Sequence, residues 1–291
     1  MLAVTAGETT DFTLSYGVSY LDFPRAIDPD QALEKTERSW STWSKSFEGA
    51  GQWLEAVIRS LITLRAMIFQ DSGGIVAAPT TSLPEQSGGS RNWDYRFCWL
   101  RDATFTLLAL MNAGYVDEAK RWRAWLIRAI GSEPSLVQIL YGIGGERFMP
   151  ERTFPWLSGY EGAKPMRVGN AAAAQLQLDI YGEVLDTLFQ SRDRRLVSDA
   201  ADWMLQIELL KHLEIIWEFP DEGIWEVRGP RRHFTHSKVM AWVAFGESRA
   251  SSNLALAGRS IIGGACASVS TMMSARMDST RSSVLSRRAM A

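Results

Sequence analysis

From residue 30 to residue 245 the chain carries one helical pattern after another, with no strand pattern between them. Residues 52–69 place Trp53, Val57, Leu61, Leu64 and Ile68 on one face, the spacing of an amphipathic helix. Residues 116–130 do the same with Ala119, Trp122, Leu126 and Ala129, and Gly131 stops them. Residues 170–190 stack Leu176, Ile180, Val184 and Leu188; residues 196–217 stack Ala200, Trp203, Ile207 and Leu210. Residues 30–45 and 102–112 read as further helices, 136–141 as a short one, and 237–245 as the start of another. Helices in series, each with one apolar face, must bury those faces on each other. The chain is therefore expected to be all-α. A closed toroid of helical hairpins and an open solenoid both satisfy that pattern.

The unusual residues sit between the helices. Residues 88–102 hold four aromatics, three arginines and two aspartates between a glycine turn and the apolar run at Phe105, Leu108 and Ala109. Asp102 is expected just before that helix, where a carboxylate caps free N–H groups at the positive end of the dipole. Rings for stacking beside fixed polar groups suit a sugar, whose C–H faces are apolar and whose hydroxyls need partners. A capping Asp with a buried Trp/Arg cluster is the plain structural alternative.

Charge and composition remove several classes. Net charge is −2 with a pI of about 6.0, and no basic stretch suits a nucleic-acid backbone. No apolar run reaches membrane-spanning length, and residues 1–7 lack the regions of a secretory signal. The two cysteines, Cys98 and Cys266, have neither metal-ligand nor disulfide spacing, so the expected location is the cytoplasm. His233 and His236 could share a helical face, but no third ligand lies near in sequence, and no metal or cofactor is expected. Gly142, Gly144 and Gly145 lack the Lys-Ser/Thr of a phosphate loop. Twelve tryptophans fit either a large aromatic core or carbohydrate stacking.

Two further loops stand out. Residues 142–169 form a long stretch without helical pattern, containing Trp156, Tyr160, Glu161 and Arg167, and a long loop within a domain is usually functional. In residues 221–229, Glu226 follows Trp225 between two glycines. Apolar walls beside a carboxyl raise its pKa, as a general acid near neutral pH requires. Three acids in a solvated surface loop are the plain alternative.

Asn92-Trp93-Asp94-Tyr95 and Cys98-Trp99-Leu100-Arg101-Asp102 resemble the motif of the bacterial branch of glycoside hydrolase family 15, the glucoamylase and trehalase-like enzymes. The resemblance runs from about Phe12 to about Phe245. It implies an (α/α)6 barrel with its site in the loops at one end, and an α-glucan or an α-glucoside such as trehalose as substrate. It implies that Glu226 is the general acid and that Arg101 and Asp102 bond the hydroxyls of the first glucose. Trp99, Trp225, Trp156, Arg167 and Asn170 carry over as further substrate contacts. Fungal relatives have a second acid directly after the general acid; Val227 stands there in this chain. The mechanism implied inverts the anomeric centre: the acid protonates the leaving oxygen and an opposed carboxylate activates water.

The resemblance also implies a division of the chain. Phe12, Leu14 and Tyr16 alternate with polar residues like a strand, and resemble the last piece of the β-sandwich that precedes the family's helical domain. Residues 1–25 are thus expected to be a sandwich remnant, 26–50 a linker helix, and 51–245 the first half of the barrel. Residues 246–291 hold eleven Ser, no Lys and no aromatic, whereas the first 245 residues hold all 31 aromatics. Disorder is the plain reading of such a tail. We favour a shifted reading frame: residues 271–279, back-translated with GC-rich codons and read one base back, resemble the family's continuation. In the family the general base lies further downstream, and nothing in the tail matches its motif. An incomplete, inactive hydrolase is expected, with a sugar-binding remnant as the alternative. Another helical toroid, a terpene cyclase, would need acid-rich motifs that the chain lacks.

Overall fold

The structure is a computed structural model and describes residues 3–22, 24–131, 136–193 and 200–257. The chain divides into two units, Met1–Ile62 and Thr63–Ala291.

The first unit holds α1 (Pro29–Lys45) and most of α2 (Leu54–Ala66). Local chemistry sets the start of α1. Asp28 Oδ1 accepts the backbone N–H groups of Asp30 and Gln31 at 3.1 and 3.3 Å, and Pro29 has no N–H to leave unpaired. The strand expected over Phe12, Leu14 and Tyr16 does not form. Those side chains are 79%, 98% and 91% exposed, and no described segment pairs with them. Alternation alone makes no strand without a ladder partner and a face to bury.

The second unit is built from α3 (Leu100–Asn112), α4 (Asp117–Ile130), α5 (Asp179–Asp193), α6 (Ala200–Ile216) and α7 (Thr235–Ala257). Four short strands accompany them: β1 (Cys98–Trp99), β2 (Leu140–Tyr141), β3 (Arg152–Phe154) and β4 (Met166–Val168). One core joins Leu100, Leu107 and Met111 of α3, Trp122, Trp125 and Leu126 of α4, Tyr181, Val184 and Leu188 of α5, and Leu209 and Leu213 of α6. Helix α5 packs against both α3 and α7. The close approach to α7 is possible because Gly182 has no side chain: a Cβ there would fall on the carbonyl of Met240. Lys238 of α7 closes the end of α6, its Nζ donating to the carbonyls of Trp217 and Phe219 at 2.6 and 2.7 Å.

Several boundaries differ from the sequence pattern. Residues 136–141 end not in a helix but in β2, whose Leu140 and Tyr141 pair with Trp99 and Cys98 of β1. Their apolar run fits either element, and the choice is made by a partner about forty residues away in sequence. The loop 142–169 contains an antiparallel pair, with Arg152, Thr153 and Phe154 facing Val168, Arg167 and Met166. The helix expected over 170–190 is two elements, a 3₁₀ turn (Ala171–Ala174) and α5. Between them the backbone N–H groups of Leu176 and Leu178 donate to the carboxylates of Glu222 and Asp221 at 2.8 and 3.1 Å. Helix α7 continues past Phe245 to Ala257. The remainder of the tail, with Cys266, and residues 196–199 of the expected sixth helix lie outside the described residues.

Candidate active site

The site lies wholly in the second unit, where α3 begins. Pairing of β1 with β2, extended by the Leu100 N–H donating to the Ile139 carbonyl at 2.9 Å, fixes Trp99 at the N-cap of α3. Asp94, fully buried, holds the preceding loop: its carboxylate accepts two bonds from the Arg96 guanidinium at 2.9 Å and one from the Gly169 N–H at 3.1 Å. Helix α3 starts at Leu100, two residues earlier than the sequence suggested. Asp102 is therefore inside the first turn rather than capping it, and its Oδ2 accepts from Arg101 Nη2 at 3.2 Å.

Glu226 reaches this point from the other end of the unit. Asp221 and Arg232 pair backbone to backbone at 2.9 Å in both directions and close the loop that carries it. Inside, Gly223 takes φ 68° and Glu226 takes φ 54°. A left-handed conformation is unusual for a residue with a side chain and persists only where the surroundings hold it. Here the Glu226 N–H donates to the Gly223 carbonyl at 3.1 Å, and the Glu226 carbonyl accepts from Gln175 Nε2 at 3.3 Å. The Ile224 carbonyl accepts from Arg101 Nη1 at 2.6 Å.

The result brings two of the sequence candidates onto the carboxylate of a third. Glu226 Oε1 accepts from Trp99 Nε1 at 2.8 Å and lies 3.4 Å from Arg101 Nη2. Burial pushes the Glu226 carboxyl above its ordinary value and outweighs the opposing pull of Arg101 and of the Trp99 hydrogen bond; the Asp102 charge adds to the rise. Burial would lower the Arg101 guanidinium, but Asp102, Glu226, Glu183 and Asp179 together raise it above its usual value. One cation thus stands among four carboxyls, and burial raises Glu226, Glu183 and Asp179 above their ordinary values.

The other candidates lie in different settings. Trp225, next to Glu226, is 85% exposed, and Trp156, at the turn between β3 and β4, is 71% exposed and packs edge-on against Phe154 at 5.3 Å. Arg167 donates to the Ser90 carbonyl at 2.8 Å and lies over the Trp93 ring at 4.5 Å. Asn170 is buried and caps the 3₁₀ turn, Oδ1 accepting from the Ala172 N–H at 2.9 Å. In this structure Arg167 and Asn170 tie loops together.

Sequence reasoning passed over Gln175, Glu151, Arg228, Asp179 and Glu183. The last two are four apart, the spacing of one helix face, which was a readable signal. Both are buried, and their carboxylate oxygens lack hydrogen-bond partners among the described residues; His236 Nδ1 stands 3.8 Å from Asp179 Oδ2. Among the described residues no group of three His, Cys, Asp or Glu is placed to hold a metal ion, and no helix is long and apolar enough to cross a membrane.

The sequence profile described as "Glycosyl hydrolases family 15" matches residues 51–286, and the chain belongs to that family. It is 40% identical over 218 residues to a trehalase of Mycolicibacterium smegmatis, which covers 72% of this chain and 32% of that one. It is 39% identical over 238 residues to a trehalase of Mycobacterium tuberculosis, covering 78% and 34%. A trehalase of Thermoplasma acidophilum is 34% identical over 230 residues, covering 79% and 39%. The chain thus spans about a third of the length of the curated relatives it matches. No solved structure gives a significant match.

Proposed function

We propose that this chain carries the acid half of an inverting α-glucosidase site, with trehalose as the favoured substrate. The observation that carries the reading is Glu226, raised above its ordinary pKa and held by Trp99 and Arg101. A carboxyl whose pKa burial raises holds its proton better and can give it to a glycosidic oxygen as the bond breaks. Asp102 and Arg101, a carboxyl acceptor beside a guanidinium fork, match neighbouring hydroxyls of one glucose by charge-assisted hydrogen bonds. Trp225 and Trp156 offer exposed ring faces for the rest of the sugar. Among the substrates of the family, the trehalase relatives favour trehalose over an α-glucan. The helices are read as part of the (α/α)6 toroid, and the opposed carboxylate that activates water is assigned to none of the described residues. Buried, free Cys98 supports a reducing compartment such as the cytoplasm.

The test is trehalose turnover by the chain joined to a segment that supplies the family's downstream base, followed by NMR, which reports the anomers first released. One β-glucose released for each α-glucose, with turnover abolished in Glu226→Gln, supports the reading; α-glucose alone, or full turnover in Glu226→Gln, overturns it. The assembled Arg101–Asp102 pair favours one second reading, sugar binding without chemistry. Saturable trehalose binding, weakened in Asp102→Asn and without turnover, is its signature.

A further inference from the structure

Glu151 lies just before β3, in the segment read from sequence as an irregular loop, yet three elements converge on it. Arg228, from the loop that carries Glu226, donates to both its oxygens, Nη1 to Oε1 at 3.1 Å and Nη2 to Oε2 at 2.6 Å. The Ala171 N–H donates to Oε2 at 3.3 Å, and Arg167 Nε of β4 stands 3.7 Å from Oε1. Burial would raise the Glu151 carboxyl, but these donors overcome it and hold it below its usual value, so it is charged. The guanidinium groups of Arg228 and Arg167 lie over the Trp93 ring at 4.4 and 4.5 Å. Trp93 is itself fixed by Nε1 donating to Glu85 at 2.9 Å.

This knot sits two residues along the chain from Glu226, whose left-handed backbone needs outside support. A bidentate guanidinium–carboxylate pair fixes orientation as well as distance. Stacking on Trp93 removes the remaining freedom of the Arg228 head. The loop is thus fastened at Arg228 on one side of Glu226 and at Ile224, through Arg101, on the other.

We propose that Arg228 and Glu151 are positioning residues, which fasten the loop so that Glu226 meets the Trp99 indole. The inference rests on Glu226 being the general acid, but the fastening itself is tested without catalysis. The Trp99 Nε1–H donates to Glu226, so its NMR resonance and hydrogen exchange report the placement of that carboxylate. Trp125 Nε1–H donates to the Ile143 carbonyl at 3.0 Å in the core and serves as the internal control.

The experiment labels the indoles of the full 291-residue chain with ¹⁵N and compares Arg228→Gln, Glu151→Gln and the double variant. Loss of the indole signal in Trp99→Phe assigns Trp99. The expected result is a shifted Trp99 resonance with exchange faster by about tenfold, the weight of one hydrogen bond. The double variant should be no worse than either single one, because the two side chains act as a unit. Trp125 should not move. A Trp99 signal unchanged while that of Trp93 moves overturns the proposal. Should the variants lose the Trp125 signal, the wild-type chain under rising salt decides. The Arg228 side chain is 48% exposed, so salt weakens the pair; Trp93 and Trp99 moving together supports the strap, and Trp93 moving alone overturns it. Hydrolysis that survives Glu226→Gln would sink the reading of Glu226 and leave the indole result standing.

Discussion

Trp99 and Glu226 are 127 positions apart in the chain and 2.8 Å apart in the fold, indole Nε1 to carboxylate Oε1. The two ends of this bond are fixed by different means. Trp99 is set by a two-residue strand pair and the start of α3, Glu226 by a loop in a left-handed turn. An indole N–H can only donate, so it favours the ionised carboxylate. Burial of Glu226 works in the opposite direction and is the larger effect. Trp99 therefore moderates an acid that the surroundings make weak, and orients it.

Trp99→Phe separates these contributions. The ring keeps most of its packing against Tyr95 and Phe97, while the hydrogen bond is lost. Without that donor the ionised form of Glu226 loses a stabilising partner, so its pKa rises further. In a chain completed with the family's downstream base, the alkaline limb of the hydrolysis pH profile should move to higher pH. The plateau rate should fall about tenfold, because the carboxyl is no longer aimed. A ¹³C titration of the Glu226 carboxyl checks the first part directly. A limb that moves to lower pH would contradict the reading that the Trp99 N–H stabilises the ionised carboxylate.

Gly182→Ala opposes helix propensity to packing. In an exposed helix interior the change stabilises by up to about 1 kcal/mol. In α5 the new methyl would meet the backbone of Met240, the carbonyl carbon lying 2.7 Å from the Cβ position. Backbone cannot swing aside as a side-chain tip can, so α5 and α7 must separate. Steric strain should win, and urea unfolding should show a loss of about 1–3 kcal/mol. A stabilised variant would mean that the two helices do not approach as closely as this.

The helices were legible because their signal is local. Spacing of apolar residues gave α4 and the described part of α6 within a few residues; α1 read as a polar helix, and Asp28-Pro29 marks a start that needs no tertiary help. What stayed hidden was settled by partners distant in sequence. Leu140 and Tyr141 become a strand only because Cys98 and Trp99 are there to pair with them. The break before Asp179 exists because Asp221 and Glu222 draw the Leu178 and Leu176 N–H groups away from a helix. Trp99, Arg101, Asp102 and Glu226 could be named from their motifs, but not that the first two would share one oxygen of the last. Glu151 and Arg228 gave no signal, since a single Glu and a single Arg in loops 77 positions apart look like surface charges.

Glu183 yields a stability test that does not depend on catalysis. Its carboxyl is buried on α5, without a hydrogen-bond partner among the described residues. Burial pushes it up to about 8 from an ordinary 4.5; Asp179 on the same face adds to the rise, Arg101 opposes it, and Asp102 adds a smaller push. The sign follows from proton counting. Below pH 4.5 folded and unfolded chains both hold the proton, and Glu183 causes no pH dependence. Between 4.5 and about 8 the unfolded chain releases it and the folded chain keeps it, so stability falls as pH rises. Above about 8 both forms are ionised and the loss is complete. Glu183→Gln removes the titration while keeping the shape. The variant should match wild type most closely near pH 4 and gain on it steadily towards pH 8, by on the order of a few kcal/mol. Asp179 remains in both chains, so the difference between their unfolding curves reports Glu183. Unfolding midpoints in urea at several pH values give the answer. Parallel pH dependence of the two chains would show that Glu183 is already paired or solvated, and that α5 does not bury it against α3.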